Sequence, residues 1–340
     1  MDSGREWRGG QNQVRLLCRE LARDSQVEQI LVTKQDSELA RRAAADGVTV
    51  RGTAWEIGLD PRAWWHLRRT ISTFQPDVIH VHDSHSLTLA ATVAMGRTLV
   101  ATRRVDFHVG RFGAWRRPDR IIAVSEAVKQ VLVGDGIAAD AVTVVPDGID
   151  PEEIRRAAAA DPPLDIRGRL RLSPKALLAV NAAALVDHKD HKTLIRAARA
   201  ARTLEPQLHW VIAGEGPQRD ALAAEITRLD LQGRVHLVGW IDRIEALIAE
   251  ASIFVMSSKL EGLGSVILNA LALERPVVAT AAGGIPELLP PEVLVPPGAA
   301  EALARKVVEV LRQPKKVPFP PRFTAEAMEG QVLDVYRSLL

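Results

Sequence analysis

The chain has 340 residues, with 44 Lys or Arg against 42 Asp or Glu and a formal net charge of +2. That near-neutrality supplies no broad field for gripping nucleic acid, and the length suffices for two domains with their own cores. One cysteine, Cys18, excludes an internal disulfide and a cysteine-based zinc cluster and suits a reducing compartment, and no apolar run approaches the roughly 20 residues of a membrane span.

Residues 6–14, EWRGGQNQV, set Gly9 and Gly10 just ahead of a helix, because Val14, Leu17, Cys18 and Leu21 recur at helical spacing from Gln11 onward. Such a pair lets backbone N–H groups approach an anion at the positive end of the helix dipole. In nucleotide-binding α/β domains this loop follows a buried strand, and the MDS ahead of it is too short for one. The first strand of the domain is therefore expected to be missing, with the true start upstream.

Short β-branched runs then alternate with amphipathic stretches, the pattern of doubly wound parallel sheets. Strands are expected at QILVT, GVTVR, DVIHVH, TLVAT, RIIAVS and VTVVPDG in the first half. The second half offers ALLAVN, LHWVIAG, RVHLVG, SIFVMS, RPVVAT and EVLVPP. Between the two series, the Ala run broken by Pro162 and Pro163 reads as a linker. The expected organisation is a first Rossmann-like domain over 1–155, a linker over 156–170 and a second domain over 171–321, facing the first across a cleft. A closing helix within 322–340, with Met328, Val332, Val335 and Leu339 at helical spacing, is expected to pack back on the first domain.

Chemistry concentrates in residues 257–289. A strand ends at Ser257 and Ser258, Glu261 follows in a loop, and Gly262 and Gly264 flank Leu263 ahead of the helical SVILNALAL. Backbone N–H groups of Leu263, Gly264 and Ser265 at the carboxyl edge of a parallel sheet form a phosphate cradle. Glu261 beside them is suited to accept hydrogen bonds from sugar hydroxyls. His80 and His82 share one strand face, and by themselves are as readily structural as functional. Asp83 and His85 in the next loop are types that bind metals, without a convincing Asp-x-Asp to support them.

LEGLGSVILNALALERPVVATAAGGIPELL resembles the donor-site signature of glycosyltransferase family 4, retaining enzymes with the GT-B fold. RGGQNQVRLLCREL, PDVIHVHDSHS, IIAVSEAVKQVLVGDGI, VTVVPDGID, ALVDHKDHKTLIRAA, HWVIAGEGPQRDAL and RVHLVGWID resemble that family's other elements in order, along nearly the whole chain. The resemblance implies transfer of a sugar from a nucleotide-sugar donor, a UDP-, GDP- or ADP-sugar, to a hydroxyl of a glycan or lipid-linked acceptor, with no cofactor and no catalytic metal. It implies that Lys189 clamps the donor diphosphate, Glu261 meets the transferred sugar, and Gly264 and Ser265 form the phosphate turn. It further implies that His82 contacts sugar or acceptor, that Gly9 and Gly10 lie near the donor phosphates and the acceptor, and that Gly214, Gly216 and Trp240 line the nucleotide side.

The chain departs from the pattern at two site positions. Asn269 stands where the family has a second glutamate on the ribose, and Ala184 and Leu185 stand where an arginine usually precedes the lysine. These losses keep open a degenerate sugar- or nucleotide-binding subunit, and the fold also admits a nucleotide-sugar epimerase. Finally, residues 102–120 interleave Arg103, Arg104, Arg111, Arg116, Arg117 and Arg120 with Phe107, Phe112 and Trp115. That mixture suits anionic lipid or a phosphate-bearing acceptor, with single-stranded nucleic acid or a plain solvated loop as the other readings. The charge balance speaks against nucleic acid. A cytoplasmic protein with peripheral contact at the inner membrane face is the expectation.

Overall fold

The computed structural model describes residues 1–55, 60–110, 112–314 and 316–340. The chain divides into two compact units, Met1–Ile149 with Pro321–Leu340, and Asp150–Pro320. Strands overlap all twelve segments expected from the sequence, and every strand pairing is parallel.

The first unit contains β1 (Leu31–Lys34), β2 (Val50–Thr53), β3 (Val78–Val81), β4 (Thr98–Arg103), β5 (Arg120–Ala123) and β6 (Val142–Val144). They form a β1–β2 pair and a sheet in the order β3-β4-β5-β6. The expected gap between these two pieces is not left open. Asp2 bridges Thr33 in parallel and its N–H reaches Val32 O at 3.2 Å, while His82 N–H donates to Met1 O at 3.0 Å. Two residues thus occupy the position of a first strand, hydrogen-bonded on both sides. The Gly pair also sits differently from expectation. Gly9 and Gly10 are the first two residues of the helix Gly9–Leu21, whose N-cap, Arg8, provides no side-chain cap.

The helix Ala325–Arg337 belongs to this unit. Thr324 caps it by accepting from Ala327 N–H, and Met328, Val332 and Val335 pack with Leu16, Leu17, Leu21, Val100 and Ile122. Ile149 lies alongside, bonded to Phe323 and Ala325 through backbone groups.

The second unit contains β7 (Leu177–Ala182), β8 (Leu208–Ala213), β9 (Val235–Gly239), β10 (Ile253–Met256), β11 (Val277–Thr280) and β12 (Leu294–Val295). Their order is β12-β11-β10-β7-β8-β9. From β7 the chain winds outward through β8 and β9, then returns to β7's other side with β10. This reversal between β7 and β10 is where open parallel sheets leave a crevice beyond the strand ends. β10 and β11 are buried along their whole length, as continuous apolar runs covered on both faces should be.

Residues 156–170 are not an independent linker. The helix Pro151–Ala158 runs into them, the short helix Ile166–Arg169 follows, and both belong to the second unit. Leu164 and Ile166 are buried, Ile166 N–H donates to Glu250 Oε2 at 2.9 Å, and Arg243 donates to the carbonyls of Ala160 and Pro162. The Pro pair thus marks a bend in packed chain.

Val332 is 2% exposed. Val332→Asp puts a carboxylate against Leu17 and Ile122 and should destabilise the first unit by about 3 kcal/mol or more, read from denaturant unfolding. Unchanged unfolding would contradict the helix docking.

Candidate active site

The second unit's cluster grows from the ends of β7 and β10. After β7 the chain makes the turn Asp187–Lys189, and Asp190 then caps the helix His191–Ala201 by accepting from Thr193 N–H. After β10, Ser257 Oγ donates to Lys189 O at 3.0 Å and Lys259 N–H donates to His188 O at 2.8 Å, lacing the two loops together. Lys189 Nζ stands 2.6 Å from Glu261 Oε2, with side chains 19% and 11% exposed. Ser258 Oγ donates to the same carboxylate oxygen at 3.0 Å, and Thr280 Oγ1 holds Ser258 O at 2.6 Å.

Glu261's backbone is fixed from β11's side. Gly284 N–H donates to Glu261 O at 3.1 Å, and Gly283 has φ +49° with space for no side chain: a Cβ would lie 1.7 Å from that oxygen. Leu263, Gly264 and Ser265 follow immediately and lead into the helix Val266–Ala272. The structure therefore brings Lys189, Glu261 and this turn to one sheet edge, at the reversal between β7 and β10.

Gly214 and Gly216 lie on the neighbouring loop after β8. Gly214, at φ +139°, lies so close to Ala183 that a Cβ would fall 2.0 Å from its carbonyl oxygen. Leu185 N–H donates to Glu215 O at 2.9 Å, and Gln218 N–H donates to Leu185 O at 3.0 Å. Ala184 is thus held in the seam between these loops, and Leu185 is fully buried beneath it. Asn269 Nδ2 approaches Glu245 Oε1 at 3.4 Å, so a carboxylate does stand near the position where the sequence lacks one. Trp240 is 54% exposed, its Nε1 donating to Asp242 Oδ1 at 2.6 Å.

The first unit carries a second cluster. His82, just past β3, accepts at Nδ1 from Arg104 Nη1 at 3.3 Å, and Arg104 Nε donates to Asp147 Oδ1 at 3.0 Å. Gly10 lies beside the Arg104 side chain. His80 packs its ring 4.1 Å from that of His82 and stands 2.7 Å from both Tyr336 Oη and Thr102 Oγ1. Burial, foremost, holds both histidines well below the usual imidazole range, and His80 adds to the depression at His82. Burial raises the Asp147 carboxyl, against the pull of Arg104.

The basic stretch 102–120 does not form one face. Arg103 is 8% exposed, donates to Phe107 O at 2.7 Å and lies over the Trp115 ring. Arg104 belongs to the His82 cluster. Arg116 is exposed but spends its guanidinium on the carbonyls of Asp135 and Gly136, closing the end of the helix Glu126–Gly134. Arg117 and Phe112 remain at the surface, and Arg111 lies outside the described residues. Short-range spacing could not reveal these separate engagements, because each partner lies on another element.

Asp83 is equally committed. Its carboxylate accepts from Ser3 N–H and Oγ, from His85 and Ser86 N–H, and from Ser86 Oγ, so it caps the helix Ser84–Val93 and pins residue 3. Among the described residues, no group of three or more His, Cys, Asp or Glu could hold a metal ion. Sequence reasoning passed over Asp147, though it stands in a strand-end PDG. Tyr336 carried no local signal, being 256 residues from its partner.

Residues 7–153 match the family model for Glycosyltransferase Family 4, and residues 165–326 match that for Glycosyl transferases group 1. The lipopolysaccharide core biosynthesis glycosyltransferase LpsE of Rhizobium meliloti (strain 1021) is 34% identical over 149 residues, 43% of this chain and 42% of that protein. The phosphatidylinositol N-acetylglucosaminyltransferase GPI3 subunit of Saccharomyces cerevisiae (strain YJM789) is 26% identical over 180 residues, 52% of this chain and 39% of that protein. This chain thus spans about two fifths of the length of those relatives. In fold it is similar to Anabaena Alr3699/HepE, crystallised with UDP and glucose, at a TM-score of 0.83 and 19% identity over 99% of this chain and 98% of that one. The two models match successive regions that together take in most of the sequence, and by them the chain belongs to the family 4, group 1 glycosyltransferases.

Proposed function

We propose that the chain moves a sugar from a nucleotide-sugar donor to a hydroxyl of a glycan or lipid-linked acceptor, with retention at the anomeric carbon. The observation that carries this reading is the Lys189–Glu261 pair, 2.6 Å apart at the crevice edge of a parallel sheet and beside the Leu263–Ser265 turn. A diphosphate at this turn competes with Glu261 for the Lys189 ammonium, which then stabilises the charge that develops on the leaving group. Glu261, released, accepts from hydroxyls of the transferred sugar and holds it for attack. Asn269, with Glu245 close by, faces the ribose, and the loop carrying Gly214 and Gly216 takes the nucleotide side. His82 serves the acceptor side, and Gly9 and Gly10, at the start of their helix, stand near the donor phosphates and the acceptor.

Retention comes with the family resemblance. A uridine nucleotide is the first donor to try, since HepE was crystallised with UDP, and a cell-envelope glycan the first acceptor, by the name of LpsE. No described helix is long and apolar enough to cross a membrane, and the buried Cys18 fits the cytoplasmic setting proposed for this activity. For peripheral membrane contact Arg103 and Arg104 are not available as ligands, since Arg103 is buried and Arg104 is paired with Asp147.

Thermal unfolding scanned against UDP, GDP and ADP tests the donor site. The right nucleotide at about a hundred times its Kd adds about 2.7 kcal/mol to the native state, and Lys189→Ala should abolish most of that shift. No shift with any nucleotide would count against the reading. Glu261→Gln should separate binding from transfer: kcat falls about a hundredfold, while nucleoside diphosphate binds several-fold tighter because Lys189 no longer has a carboxylate partner. Weakened diphosphate binding in this variant would contradict the proposed exchange of partners.

A further inference from the structure

We infer that Arg104, held by Asp147, is a positioning residue that fixes His82 in the Nε2–H tautomer, so that His82 serves as a neutral hydrogen-bond donor to a substrate oxygen and not as a general base. The inference deepens the proposed acceptor-side role of His82 and rests on that reading only for its kinetic part.

The argument starts from donor inventory. A guanidinium has five N–H groups and nothing that accepts, so the contact between Arg104 Nη1 and His82 Nδ1 exists only if Nδ1 offers its lone pair. The ring proton then sits on Nε2. Among the described residues no group bonds Nε2, which leaves its N–H for a ligand. The guanidinium cannot easily turn away. Its Nε is bonded to Asp147, and the two side chains are 13% and 8% exposed.

A protonated His82 would set an N–H against the guanidinium, losing the bond and adding like-charge repulsion. Neutral His82 as a base would need a lone pair facing substrate, and its lone pair faces Arg104. The charged and titratable groups that act on the ring are His80 on β3, the Met1 amino group and Arg104, with Asp147 paired to Arg104 and Asp2 and Asp83 facing the Met1 amino group. His80, clamped between Tyr336 and Thr102, supports the ring of His82 from beneath.

The first test is 15N-labelled histidine in the whole wild-type chain, with His82 assigned by its disappearance in His82→Gln. Long-range imidazole spectra should show an unprotonated Nδ1 and a protonated Nε2, unchanged from about pH 8 to about pH 6. A protonated Nδ1, or titration within that window, overturns the inference. Arg104→Lys, which keeps a pure donor, should preserve the tautomer, and Arg104→Met should mix the tautomers, while burial still holds the ring neutral. An unchanged spectrum in a folded Arg104→Met would deny Arg104 its role. In transfer assays His82→Gln, which retains an N–H donor, should exceed His82→Ala about tenfold in kcat. Equal loss in both variants overturns the donor role. If no transfer is found with any substrate, the proposed function fails while the spectra still decide the tautomer.

Discussion

Neutralising two nearly buried charges against each other is the constraint on which the second unit's edge depends. Lys189 and Glu261 stand on loops 72 residues apart in sequence, and removal of either would leave a poorly hydrated charge without its counterion. Holding them together requires the ends of β7 and β10 to be registered to each other. Ser257, Ser258 and Thr280 supply that registration through side-chain hydroxyls, bonded to Lys189 O, to Glu261 Oε2 and to Ser258 O respectively. The close approach at Gly283 completes the arrangement by bringing β11's loop onto Glu261's backbone.

The first unit solves a similar problem with different chemistry. Its cluster lies at the end of β3, and the cation there is a guanidinium paired with a carboxylate from beyond the end of β6. Arg104's planar fork allows one residue to bond an acid at one edge and a histidine at the other. In the second unit the cation is a lysine, a single point of charge, bonded to one carboxylate oxygen of Glu261.

The order of strands was legible because parallel sheets covered on both faces leave continuous apolar runs, as β10 and β11 show. Glu261 and the Gly-rich turn were legible as a group because they lie within one short strand-end stretch, whereas Lys189, 72 residues away, was picked out only by the family resemblance. What periodicity could not show were engagements across the fold. Arg103, Arg104 and Arg116 look alike in the sequence, yet one lies over Trp115, one serves His82 and one closes a helix. The stretch around Pro162 and Pro163 read as linker because its composition is that of a loop, while its attachment depends on Glu250 and Arg243, more than 80 residues on. The pairing of residues 1 and 2 between β1 and β3 escaped for a related reason: two residues carry little pattern, and their bonds are to strands far along the chain.

The return of the helix Ala325–Arg337 to the first unit makes that unit discontinuous, whereas the second is an unbroken stretch of chain. During synthesis, residues 150–320 can collapse into a complete parallel sheet as soon as they emerge. Leu17, Val100 and Ile122 must wait for a helix made after that stretch. The half of the molecule translated first is therefore the half that finishes folding second, and over that interval its uncovered apolar face is what a chaperone would meet.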